Sequence, residues 1–120
     1  TRLDKTDSGS GGSGASTTGT QTSTEGAVFF GVLGTDCGGA VTHTPDGAFT
    51  QIYESENGAS YQTGSVIELI VTTSTADAAS WTAPTTYGWR AVLAVYKAAA
   101  AGGGHTWYSG PAGTYTRGVA

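Results

Sequence analysis

Gly88-Trp89-Arg90-Ala91-Val92-Leu93-Ala94-Val95-Tyr96-Lys97 is the stretch that decides the fold class. It fits two periods. Trp89, Val92, Leu93 and Tyr96 form a stripe at helical spacing, and the alanines that follow favour a helix. Trp89, Ala91, Leu93 and Val95 alternate as one face of a strand. Trp, Val and Tyr are poor helix formers. Every neighbouring segment reads as a strand, and a lone helix rarely intrudes on a small sandwich. We therefore expect a strand here, in an all-β chain.

Working outward, Ala27-Val28-Phe29-Phe30-Gly31-Val32-Leu33 is a short apolar run between Gly26 and Gly34, which predicts a buried strand. Val41 to Thr44 reads as a strand stopped by the turn Pro45-Asp46-Gly47. Phe49 to Glu54 follows as a strand. Asn57-Gly58 is the strongest hairpin signal, because Asn-Gly tolerates the positive φ of a type I′ turn. Ser65 to Thr73 is the next strand, with Ile67, Leu69 and Val71 on one face and Val66, Glu68 and Ile70 on the other. Residues 76–78 read as a loop, and Ser80 to Ala83 as a short strand ended by Pro84. The expected core centre is Phe30, Val32, Leu69, Val71, Trp89 and Leu93.

This places a β-sandwich at residues 26–97, with arms at 1–25 and 98–120. Residues 8–24 are Ser, Gly and Thr apart from Ala15 and Gln21. Nothing from Asp4 to Gly26 is expected to anchor in a core, so the arm is expected to be disordered alone and ordered in an assembly. Its Thr-rich part, Thr17 to Thr24, suits an edge strand. Ser8 to Gly14 also resembles a synthetic spacer. The second arm carries Trp107, Tyr108 and Tyr115, and large aromatics on a Gly-rich tail dock somewhere. Charge is segregated: six acids and no Lys or Arg lie from Asp36 to Asp77, and three basic residues and no acid lie beyond. That suits head-to-tail contacts between copies as well as it suits a merely uneven surface.

Composition excludes several classes. Gly, Ser and Thr fill 52 of 120 positions and only 12% of residues are charged, against a coiled coil or helix bundle. No apolar run approaches a membrane-spanning length. A net charge of −4 argues against nucleic-acid binding. One Cys excludes an internal disulfide and a Cys-based zinc site. Met is absent, Thr1 is small and the first 25 residues hold no apolar stretch. We expect synthesis in a cytoplasm without a cleaved secretion signal.

Motifs for chemistry are weak. Gly9-Ser10-Gly11-Gly12-Ser13-Gly14 matches a dinucleotide fingerprint by chance, with no strand before it or helix after it. His43 and His105 are the two histidines; His43 has Asp46 nearby, too few ligands for a metal. Cys37 follows Asp36, which opposes thiolate formation, so it reads as a small packing residue. Glu54, Glu56 and Glu68 read as ordinary acids rather than a glycosidase pair. No cofactor is expected. The aromatics Tyr53, Tyr61, Trp81, Tyr87 and Trp89 lie on or beside strands. Either they fill a core poor in Leu and Ile, or some stand exposed and stack on sugars. Tyr53, Tyr61, Trp81, Tyr87, Trp107 and Tyr108 are the candidate binding residues.

The turn Thr44-Pro45-Asp46-Gly47-Ala48-Phe49-Thr50 and the strand Tyr87 to Lys97 resemble small jelly-roll β-sandwich domains of tailed-phage virions, of capsid decoration and minor tail type. The resemblance covers about residues 26–97, with Phe49 where that turn usually carries Trp. It implies no catalytic residue. It implies a structural virion protein on the capsid surface, assembled in the host cytoplasm. Its partners would be itself, as a trimer first, and the major capsid protein. A carbohydrate-binding or tail-adhesion module, meeting a surface polysaccharide, is the alternative.

Overall fold

The computed structural model describes residues 2–12, 15–36, 41–55, 62–82 and 88–98. All its regular structure is β. The main sheet has five antiparallel strands in the order β1-β10-β4-β7-β6, formed by β1 (Arg2–Gly11), β10 (Gly88–Lys97), β4 (Ala27–Asp36), β7 (Gln62–Val71) and β6 (Thr50–Ser55). A three-stranded sheet of β2 (Ser16–Thr17), β9 (Ser80–Thr82) and β5 (Thr44–Pro45), and a pair of β3 (Gln21–Ser23) with β8 (Thr75–Asp77), complete a small antiparallel sandwich. The expected loop at residues 76–78 is thus part strand, because Gln21 to Ser23 supplies its hydrogen-bonding partners.

The ambiguous stretch is a strand at the centre of the fold. β10 pairs with β4 along ten residues, Gly88 with Asp36 through Lys97 with Ala27. A strand flanked on both sides satisfies every backbone group without a helix, and its period-2 face of Ala91, Leu93 and Val95 is buried.

Its other neighbour comes from the expected arm. β1 runs beside β10 from Arg2 opposite Lys97 to Gly11 opposite Trp89. Residues 2–11 are therefore an edge strand of the main sheet, not a detached arm. Small residues suit this place. A Cβ on Gly9 would stand 2.0 Å from the Thr17 carbonyl oxygen, and one on Gly11 would stand 2.8 Å from Trp89 Nε1. The stretch also anchors: Ser16, Thr18 and Ser23 are buried, and the Thr18 N–H donates to Ala79 O at 2.9 Å. Composition argued for disorder because it counts apolar area, whereas here backbone pairing and close approach hold the segment. Thr17 to Thr24 contributes to β2 and β3, which are edge strands of the two smaller sheets.

The core lies between the main sheet and the smaller sheets, built from Phe29, Leu33, Ile67, Leu93, Val95 and Trp81 among others. Leu93 sits at the centre as expected, with Leu69, Val71 and Trp89 packed against it half-buried. Phe30 and Val32 are a correction. They share the opposite face of β4, where Val32 is 43% exposed. Both faces of β4 are apolar, so alternation could not show which pointed inward.

Gly31 faces the core beneath the covering sheet. A Cβ there would stand 2.6 Å from Ala79 Cβ, 2.9 Å from Ile67 Cγ1 and 3.1 Å from Trp81 Cη2. Gly31→Ala is expected to destabilise by about 1–3 kcal/mol through overpacking, despite the better strand propensity of Ala. Urea unfolding measures it; an unchanged midpoint would mean that the sheets separate freely.

Candidate functional site

Two features stand out: a buried chain of polar side chains, and an apolar face that nothing in the described residues covers.

The polar chain runs through the sandwich. Trp81 Nε1 donates to Ser65 Oγ at 3.0 Å, and Ser65 Oγ to Gln51 Oε1 at 2.8 Å. Gln51 Nε2 donates to Glu54 Oε1 at 2.9 Å. Glu54 Oε2 accepts from the backbone N–H of His43 and lies 3.0 Å from His43 Nδ1. His43 Nε2 is 2.9 Å from Thr63 Oγ1, which meets Thr35 Oγ1. A carboxylate only accepts, so Nδ1 carries a proton. With the imidazole neutral, Nε2 accepts from the Thr63 hydroxyl.

Local structure places each member. Thr63 and Ser65 alternate with Ile67 on the inward face of β7. Gln51 and Glu54 both reach inward because β6 has an irregular register between Gln51 and Tyr53. His43 is buried just before β5.

Carboxylate, imidazole and hydroxyl in this order have the connectivity of a nucleophilic triad. Among the described residues its members are closed off by packing and by one another. Thr63 and His43 are both buried, and the Thr63 hydroxyl is already engaged by Thr35 as well as His43. The network specifies the packing of the core instead.

Glu54 gives this network a pH dependence. Partial burial pushes its carboxyl up, but the His43 backbone N–H, the His43 ring and the Gln51 amide outweigh that and hold it below the usual glutamate value. A lowered folded-state pKa contributes stability that is present above the unfolded value, near 4.5, and is lost as pH falls through the folded value. The unfolding midpoint is therefore expected to fall on acidification below about pH 4.5. In Glu54→Gln that acid limb should be shallower; an identical limb would place the titration elsewhere.

The sequence reading paired His43 with Asp46 and left Glu54 solvated. Instead Glu54 faces His43, while Asp46 Oδ1 accepts from Thr82 Oγ1 at 2.7 Å. The signal available was the polar alternation Thr63, Ser65 leading into Ile67, which marks inward positions that need partners. Glu54 and Glu68 do not come together: Glu54 is opposite Ser65, on the inner face, and Glu68 is opposite Phe30, on the outer face. Glu56 and Cys37 lie outside the described residues. Among the described residues, no group of three or more His, Cys, Asp or Glu is placed to hold a metal ion.

Of the candidate binding aromatics, Trp81 is fully buried, so it is a core residue and not a stacking platform. It has the shape to fill a core poor in large aliphatics and finds an acceptor for its indole N–H in Ser65. Tyr53 is 61% exposed on β6. Tyr61, Tyr87, Trp107 and Tyr108 lie outside the described residues. Trp89 is half-buried at one end of the main sheet, beside a groove lined also by Thr35, Asp36, Gln62 and Arg90.

The apolar face is the outward side of the main sheet. Val28, Phe30 and Val32 of β4 lie between Val92 and Tyr96 of β10 and Val66 and Ile70 of β7. Leu3 opposite Tyr96, and Tyr53 opposite Val66, extend it to both edge strands. Exposure is 52% at Leu3, 50% at Val92 and 65% at Ile70. Phe30 and Tyr96 meet edge to face with ring centroids 6.2 Å apart. The shallow depression over Val28, Phe30, Val32, Val92 and Tyr96 holds about 920 Å³. Glu68 lies within this face, and Thr6 and Ser8 of β1 stand at its margin. A sheet face normally alternates apolar inside with polar outside. Here both sides carry large apolar side chains, and on the outer side they are exposed.

Compared with known protein families, characterised proteins and solved structures, the chain matches none.

Proposed function

We propose that this chain is a structural virion protein, of the kind that decorates or cements a bacteriophage capsid, and that it acts through subunit contacts. The observation that carries the reading is the apolar outer face spanning all five strands of the main sheet. Contiguous apolar patches beyond a few hundred Å² mark interaction surfaces on folded proteins. Four strands of ten residues and one of six, about 4.8 Å apart, give a face of roughly 600 Å². Covering it buries roughly 1,200 Å² in total, the lower bound of a specific protein–protein interface. The partners in this reading are further copies of the chain, as a trimer first, and the major capsid protein. The site is the capsid surface. No cofactor takes part.

The alternative, a module that binds a surface polysaccharide through exposed aromatics, keeps Tyr53 but loses Trp81 to the core.

Val32→Asp together with Val92→Asp tests the reading. Both side chains point away from the core, so thermal unfolding should shift by no more than a few degrees. Self-association by light scattering, and retention on phage capsids, should fall at least tenfold. A double variant that still associates and still binds particles would sink the proposal. A monomer that ignores capsids and binds a polysaccharide through Tyr53 would favour the alternative.

A further inference from the structure

The outer face has an edge at which the chain itself departs. The Ala98 N–H donates to Gly26 O at 3.1 Å, so hydrogen bonding continues past Lys97 and carries the chain off the end of the sheet. Residues 99–104 follow as three Ala and three Gly. Beyond them stand Trp107, Tyr108, Tyr115 and Val119, with Arg117 as the sole Lys, Arg, Asp or Glu from residue 98 to the end.

The structural reading above leaves open what covers the outer face. Resting on that reading, we propose that the outer face of one copy seats residues 105–120 of a second copy. Two observations favour this occupant. The first is chemical complementarity. The face is floored by Val28, Val32, Val92 and Ile70, and Glu68 lies within it. The segment brings aromatic side chains and one guanidinium, with no carboxylate on any side chain. Rings on an aliphatic floor bury large area, and Arg117 is the natural partner for Glu68 when water is excluded. Two outer faces stacked on each other would instead bury Glu68 against an apolar surface, an expensive placement.

The second observation is length. A strand that turns back beside its own sheet needs a connection of 2–5 residues. Six Ala and Gly residues span roughly 20 Å when extended, the width of the whole sheet. A connection of that reach suits delivery to a neighbouring domain. Repeated around a ring, the exchange is heterologous and closes in a cyclic oligomer. Each copy then gives one segment and receives one.

Paired cysteines in the full chain test it, with Cys37→Ser as background. One protein carries Val32→Cys or Val92→Cys, and a second carries Trp107→Cys or Tyr115→Cys. Mixed and mildly oxidised, they should yield a disulfide-linked heterodimer from at least one pair. A single chain carrying both Val32→Cys and Tyr115→Cys should link into multimers. A chain that closes on itself at monomer mass, or four mixtures without heterodimer, overturns the exchange. As a second measurement, Trp107→Ala with Tyr108→Ala should raise the self-association constant for dissociation at least tenfold in sedimentation; an unchanged constant overturns it too. Capsid retention separates the two levels of the argument. Particle binding that survives without cross-linking discards the exchange and leaves the structural function standing, whereas a Val32→Asp, Val92→Asp protein that still associates and still binds particles overturns both.

Discussion

Trp81→Ala is expected to remove about 3–5 kcal/mol of stability, the largest single loss available in this domain. Trp81 is the largest fully buried side chain and fills the space between the main sheet and β9. Its ring reaches the space over Gly31, where a Cβ would stand 3.1 Å from Cη2. The shortest inward side chain of the central strand therefore sits under one of the longest of the covering sheet. Truncation leaves a cavity that neither sheet can collapse into, since Gly31 has nothing to extend. It also removes the indole N–H that Ser65 Oγ accepts at 3.0 Å, leaving that hydroxyl only its bond to Gln51 Oε1. Chemical denaturation with tryptophan-independent detection measures the loss. Trp81→Phe keeps most of the volume and drops the donor, so it should cost about half as much. A loss below about 0.5 kcal/mol for Trp81→Ala would mean that the covering sheet does not pack as described.

His43→Ala is expected to follow closely, at about 2–4 kcal/mol, for a different reason. His43 joins the Glu54 carboxylate to the Thr63 hydroxyl at 3.0 and 2.9 Å. Removing the ring leaves both groups short of a partner in a poorly solvated place. The backbone N–H of His43 still reaches Glu54, which keeps the loss below that of a fully stripped buried charge. His43→Phe isolates the polar part, because it restores volume but not hydrogen bonds. If packing alone matters, Phe rescues and Ala does not. If the hydrogen bonds matter, both variants are weak, and both lose part of the acid-dependent limb that Glu54 produces in the parent. A His43→Phe protein as stable as the parent with an unaltered acid limb would show the network to be a passenger.

Much of the architecture was legible from spacing alone. The short apolar run of residues 27–33 and the period-2 patterns of 65–73 and 88–97 placed the three inner strands of the main sheet, and Asn57-Gly58 lies between β6 and β7, which pair as antiparallel neighbours. Alternation is a local property, written every second residue, so it survives without knowledge of the fold. Exclusion of helical classes also needed composition only.

What the tertiary structure decided was which face is inside and which residues meet. Phe29 and Phe30 are equally apolar neighbours, and the placement of Gly31 beneath Trp81 and Ala79 is what turns the odd-numbered side of β4 inward. The pairing of His43 with Glu54 depends on an irregular register in β6 that no spacing rule announces. The strand at residues 2–11 depends on β10 offering a free edge, beside which Thr17 and Trp89 leave no room for a side chain at positions 9 and 11. A strand's pattern states that it has two faces, whereas the choice between them, and the partners found there, are fixed by long-range packing that brings distant segments together.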